Sequence, residues 1–135
     1  MLSHIPPYVG WCLPRHPRSV ARSRFLLREQ ARSWCLPDDA AETAVLLLSE
    51  LMTNACTHGR TASPGREVSA RCLLRDGRLR IEVSDPGDGV PRVRRATSED
   101  ESGRGLALVA ALADAWDAQP RAHGTGKTVW CELAI

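Results

Sequence analysis

The sequence predicts an α+β fold: a two-layer sandwich in which a mixed, mostly antiparallel sheet is covered on one face by about three helices. Three observations carry that expectation. Two helix-length runs come before any clear strand. Two alternating segments then meet at Asp76-Gly77, a two-residue turn of the kind that closes β-hairpins. A third helix-length run follows a long polar segment, and the chain ends on a short stretch rich in β-branched and aromatic residues.

Residues 1–18 are rich in proline and aromatics and are expected to form an arm or a short strand, with a single domain over residues 19–135. In residues 19–34, Val20, Phe25, Leu26 and Leu27 lie among arginines, the pattern of an amphipathic helix with a basic outer face. Pro37 closes the connection. Asp39 and Glu42 have capping-box spacing and mark the start of a second helix, and Gly59 suits its C′ position. Strands follow over residues 67–75 and 78–85. Residues 85–102 carry no hydrophobic period and read as a loop. A third helix is expected over residues 103–117 and a last strand over residues 127–135.

The chain has 135 residues, enough to bury about two-thirds of its unfolded surface. Its 43% apolar and 25% charged content are ordinary for a globular protein, and a net charge of +2 makes no case for direct nucleic-acid binding. No apolar run has the length of a membrane span, and the N-terminus lacks the order of a signal peptide, so a cytoplasmic location is expected. The five cysteines (Cys12, Cys35, Cys56, Cys72 and Cys131) are scattered without metal-ligand spacing and are expected to be buried, reduced thiols.

Four positions carry candidate chemistry. Glu50, Asn54 and His58 recur every four residues on a helix whose other positions are too apolar for free exposure, so this stripe is either a solvated face or one with something polar opposite it. Asp85 ends a strand and is followed by Gly87 and Gly89, which let a backbone pass close to a planar ligand. Gly103, Arg104, Gly105 and Leu106 precede a helix, where free N–H groups and the helix dipole attract anions. Gly126-Lys127-Thr128 imitates a phosphate-binding loop. The glycine that such a loop requires five residues earlier is Arg121, and the tail is too short for the helix that must follow.

In this order, Glu50-x-x-x-Asn54, Asp85-x-Gly87-x-Gly89, Gly103-x-Gly105 and Gly126-Lys127-Thr128 resemble the GHKL ATPases, which have the Bergerat ATP-binding fold. Within that superfamily the chain is most similar to the RsbW-like anti-sigma-factor serine/threonine kinases, notably in "LLLSELMTNACTHG", "GRGLALVAALADAWD" and "GKTVWCEL". The resemblance spans nearly the whole chain and implies ATP and Mg²⁺ as cofactors. It implies that Asn54 holds Mg²⁺, that Glu50 accepts the proton of the attacking hydroxyl, and that Asp85 accepts the adenine amino group beside Gly87 and Gly89. Gly103, Arg104, Gly105 and Leu106 would line the phosphates under a lid formed by residues 90–102. Thr128 would point toward adenine while Lys127 faces outward. The partners it implies are an anti-anti-sigma protein of the STAS type and a sigma factor, with a homodimer as the expected assembly. Two alternatives stand beside this reading: an ATP-binding regulator without phosphotransfer, and an interaction domain that binds no nucleotide. A sensor histidine kinase is disfavoured, because His16 lies between Arg15 and Pro17 outside any long helix.

Overall fold

The computed structural model describes residues 7–57, 66–85, 102–120 and 126–135, with the side chains of residues 57 and 102–105 outside that description. These residues form strand β1 (Tyr8–Pro14), helix α1 (Arg18–Ser33), helix α2 (Asp38–Thr57), strands β2 (Glu67–Arg75) and β3 (Arg78–Asp85), helix α3 (Ser102–Leu112), and strands β4 (Ala115–Pro120) and β5 (Lys127–Ala134). The five strands lie in the order β1-β2-β3-β5-β4, and every pairing is antiparallel. The architecture is the expected α+β sandwich, with helices on one face of an open sheet.

The period-two pattern decides which face is covered. Val68, Ala70 and Cys72 on β2, Leu79, Ile81 and Val83 on β3, and Val129 and Cys131 on β5 are all buried. They pack against Leu47, Leu48, Leu51 and Met52 of α2, with Leu27 of α1 and Val109 of α3 completing the core. Helix α2 lies between α1 and α3 and against the sheet. That position explains why it is apolar nearly all round.

Local chemistry sets the element ends. At the C-terminus of α1, the Cys35 N–H donates to the Arg32 carbonyl and the Leu36 N–H to the Ala31 carbonyl, both at 3.0 Å, the paired bonds of a Schellman motif. Cys35 holds the left-handed position at φ 55° without being glycine. Pro37 then serves as the N-cap of α2, its carbonyl accepting from the Ala41 N–H at 2.8 Å. The N-cap therefore lies two residues before Asp39, the N-cap of the expected capping box. The Asp39 carboxylate accepts instead from the Ala40 N–H. Gly59 lies outside the described residues.

The hairpin matches the sequence expectation, with Asp76 at φ 52° and Gly77 at φ 73°, the two positive angles of a type I′ turn. Nothing lies within 4 Å of the place a Gly77 Cβ would take, so Gly77→Ala carries a conformational cost alone. Urea denaturation is expected to show a loss of about 1 kcal/mol at unchanged m-value. An unaltered midpoint would contradict the assignment of this turn.

One element departs from expectation. The third helix ends at Leu112, and residues 115–120 form strand β4. After the last helical bond, from the Ala113 N–H to the Val109 carbonyl, the Asp114 N–H donates to the Glu132 carbonyl and its carboxylate accepts from the Ala134 N–H. This turn lays the chain along β5, whose edge would otherwise be unpaired. Trp116, directly across from Cys131, then faces the core layer.

The outer face of the sheet carries an ion-pair ladder. Arg71 and Arg80 bind Glu82 at 2.8 and 2.7 Å, Arg80 also reaches Glu132 at 3.1 Å, and its guanidinium stacks 4.0 Å above the Trp130 ring. Burial pushes the Glu82 carboxyl up, but its bonds to Arg80 and Arg71 outweigh burial and hold it below the ordinary value. A depressed folded value gives stability that is present above the unfolded carboxylate range and lost as pH falls through the folded value. Melting curves are expected to show the wild type losing its advantage over Glu82→Gln as pH drops from about 5 to below about 4. A difference independent of pH would contradict the ladder.

Candidate functional site

Asn54 opens the last turn of α2, one helical turn after Glu50 and on the same face. It is 8% exposed, and its Oδ1 is buried without a hydrogen-bond partner among the described residues. Leaving a buried amide oxygen unpaired costs about 1–3 kcal/mol. Glu50 is half-buried on that face, flanked by the buried Leu47, Leu51 and Met52. A carboxamide oxygen is a hard ligand that suits Mg²⁺, which takes one or two protein oxygens and completes its shell with phosphate and water. The orphaned Asn54 Oδ1 fits that role. Among the described residues no group of three His, Cys, Asp or Glu side chains stands close enough to hold a metal.

Asp85 closes β3 beside the end of α2. One guanidinium joins the two: Arg15, on the β1–α1 connection, donates from Nε to the Ala55 carbonyl at 3.0 Å and places Nη2 3.4 Å from Asp85 Oδ2. Its side chain is 4% exposed and that of Asp85 13%. Helix α2 has no basic residue in its own last turn, so Arg15 supplies the cation that its free carbonyls and dipole attract. Next to it, burial pushes the Cys56 thiol up, opposed by a bond to the His16 backbone and by the charge of Arg15. Asp85 and Asn54 are thus brought to one end of the helix layer. Arg15 was not legible as part of this site; its sole sequence signal is a basic residue between two prolines.

Gly103, Arg104 and Gly105 lie within the first turn of α3, not ahead of it, because the helix starts at Ser102. The backbone N–H groups of Gly103 and Arg104 are among the four that a helix leaves without internal partners. Leu106 is half-buried against the core. Gly87, Gly89, His58 and nearly all of the expected lid lie outside the described residues.

The structure does not bring Thr128 to the helix layer. Thr128 pairs with Ser84 across β5 and β3, and their hydroxyls are 2.7 Å apart. Val83 and Val129, one step along, are buried under the helices, so Ser84 and Thr128 occupy the outer face. The β5 side chain on the same face as Asp85, and directly across from it, is Lys127. Lys127 is exposed at the strand end, but it lies on the helix-layer face beside the candidate base-binding carboxylate and not on the outer face expected for it.

A cavity of about 510 Å³ opens at the opposite end of α2, between Arg28, Arg32, Cys35, Asp38, Glu42 and Val45. It contains none of the candidate residues. Of the cysteines, Cys56, Cys72 and Cys131 are buried, whereas Cys12 and Cys35 are exposed, contrary to the expectation of five buried thiols. Burial pushes both Cys72 and Cys131 up to about 12, so neither offers a thiolate near neutral pH. No helix among the described residues is long and apolar enough to cross a membrane.

Comparison with known proteins identifies relatives of the chain and of its fold. An uncharacterised protein of Streptomyces coelicolor is 34% identical over 89 residues, which is 64% of this chain and 81% of the relative. Among solved structures, the SiaB–SiaC complex from Pseudomonas aeruginosa superposes with a TM-score of 0.58 at 13% identity, covering 93% of this chain and 88% of that one. The histidine kinase domain of a blue-light-activated histidine kinase from Erythrobacter litoralis superposes at 0.54 with 22% identity. That match covers 90% of this chain and 61% of the other. At these identities the structural likenesses establish the fold alone. The histidine kinase-like ATPase domain matches residues 13–132, a span that includes Glu50, Asn54, Asp85, the first turn of α3 and the final strand, and the chain belongs to that family.

Proposed function

We propose that this domain binds ATP with Mg²⁺ and transfers the γ-phosphoryl group to a serine or threonine of a partner protein. The observation that carries the proposal is Asn54, which shares a helix face with Glu50 and whose buried amide oxygen lacks a partner among the described residues. Asn54 holds Mg²⁺, and Asp85 receives the amino group of adenine, with Gly87 and Gly89 beside it. The backbone at Gly103, Arg104, Gly105 and Leu106 receives the phosphates. Mg²⁺ supplies neutralisation of the phosphate charge. Glu50 accepts the proton of the attacking hydroxyl. Phosphoryl transfer asks for positioning and charge stabilisation more than for covalent chemistry, so this short set of residues suffices.

Family membership supports ATP as the ligand. A partner protein is supported by the superposition on SiaB–SiaC, which is itself a complex. We assign the partner as an anti-anti-sigma protein of the STAS type, with sequestration of a sigma factor as the output in cytoplasmic transcription control and a homodimer as the working assembly. The test is incubation with γ-labelled ATP and candidate STAS proteins. Label on a serine or threonine of one of them is expected. Tight ATP binding with no transfer to any candidate would contradict the kinase assignment and leave a nucleotide-binding regulator.

A further inference from the structure

We propose that Arg15 is the residue that positions Asp85 for reading the nucleobase; the proposal rests on the nucleotide assignment above. The connection that carries Arg15 is held firmly at both sides. The Arg15 N–H donates to the Arg66 carbonyl at 2.8 Å, the Ser19 hydroxyl to the Pro14 carbonyl at 2.6 Å, and the Arg18 N–H to His16 Nδ1 at 3.0 Å. From this platform the guanidinium enters the protein nearly completely buried and contacts two elements at once, the Ala55 carbonyl and the Asp85 carboxylate.

Those two elements carry the two ends of the proposed ligand site. Ala55 follows Asn54 directly, and Asp85 is the proposed base acceptor. A planar guanidinium with donors in a rigid fork can hold a backbone carbonyl and a carboxylate in one mutual orientation. It therefore ties the height and rotation of the Asp85 carboxylate to the helix turn that holds Asn54. A lysine ammonium, a point charge on a flexible stem, cannot reproduce that fork. A role confined to covering the end of α2 would need the Ala55 bond alone. The contact with Asp85 is what extends the role to the base.

The experiment compares ATP with purine riboside triphosphate, which lacks the 6-amino group, by equilibrium titration in Mg²⁺. Wild type, Arg15→Gln and Arg15→Lys are each measured, with circular dichroism as the folding check. The wild type is expected to prefer ATP by about tenfold or more, the worth of a hydrogen bond to a charged acceptor. Arg15→Gln is expected to reduce that preference to under about threefold, with Arg15→Lys in between. If Arg15→Gln does not fold, a reduced preference in Arg15→Lys is the expected result and a wild-type preference overturns the proposal. In folded variants, both nucleotides weakening together at an unchanged ratio would make Arg15 merely structural and overturn it. Failure of the wild type to bind ATP at all would overturn the nucleotide assignment itself, a result separate from any change in the ratio.

Discussion

Replacing Asn54 with alanine is expected to lower the affinity for ATP in Mg²⁺ by about 10- to 100-fold while leaving the ligand-free protein at least as stable as the wild type. The two effects have opposite signs for one reason. The Asn54 Oδ1 is buried without a partner among the described residues, so the free protein bears a desolvation cost of about 1–3 kcal/mol for it. Truncation removes the cost together with the ligand. The magnitude of the binding loss follows from metal sites in general, where disturbing even the groups behind the ligands costs about 10- to 100-fold in metal affinity. Titration calorimetry gives the first quantity and a thermal melt without nucleotide the second. A variant that melts well below the wild type would mean that Asn54 is a structural residue of α2. Unchanged ATP affinity would remove it from the site.

Replacing Glu50 with glutamine is expected to reduce phosphoryl transfer by about 10²- to 10⁴-fold, the usual contribution of a positioned general base. ATP affinity should stay within a few-fold of wild type, because the role proposed for the carboxylate is on the attacking hydroxyl and not on the bound nucleotide. Glutamine retains the volume and polarity of a half-buried position among Leu47, Leu51 and Met52, so folding is not at issue. The check is a single-turnover transfer assay under saturating ATP. Transfer at the wild-type rate would show that Glu50 is not the base. A parallel loss of ATP affinity would show that it belongs to the binding site instead.

The contrast between Asn54 and Arg15 shows what sequence could and could not reveal. Asn54 was legible because a polar residue interrupts a helix that is apolar nearly all round, and the helical period alone puts it with Glu50. The β2–β3 hairpin was legible for a similar reason: period two and an Asp-Gly turn are local signals, and the two strands begin and end where those signals place them. Arg15 joins Asp85 across 70 positions of sequence, and no local pattern encodes that contact. The Schellman ending of α1 was hidden because Cys35, not glycine, occupies its left-handed position.

The last third of the chain was harder. Residues 115–120 have a composition that extends a helix as readily as it makes a strand, and the choice is made by the open edge of β5 together with the bonds of Asp114 to Glu132 and Ala134. Tertiary pairing outweighs local propensity there. On β5 itself a single residue of register decides which of Lys127 and Thr128 faces the helix layer. The register that pairs Val83 with Val129 puts Lys127 across from Asp85 and Thr128 across from Ser84. In the glycine-lysine-threonine cluster, strand parity thus puts Lys127 and not Thr128 on the side of Asp85.

If the Asn54 amide oxygen, unpaired among the described residues, marks a Mg²⁺-dependent ATP site, nucleotide binding must depend on the ion. The most direct measurement is calorimetric titration of ATP into the wild-type protein, once with Mg²⁺ and once with EDTA. Saturable binding in Mg²⁺ is expected, weakening by at least about tenfold when the ion is removed. No binding under either condition, or an affinity indifferent to the ion, would contradict it.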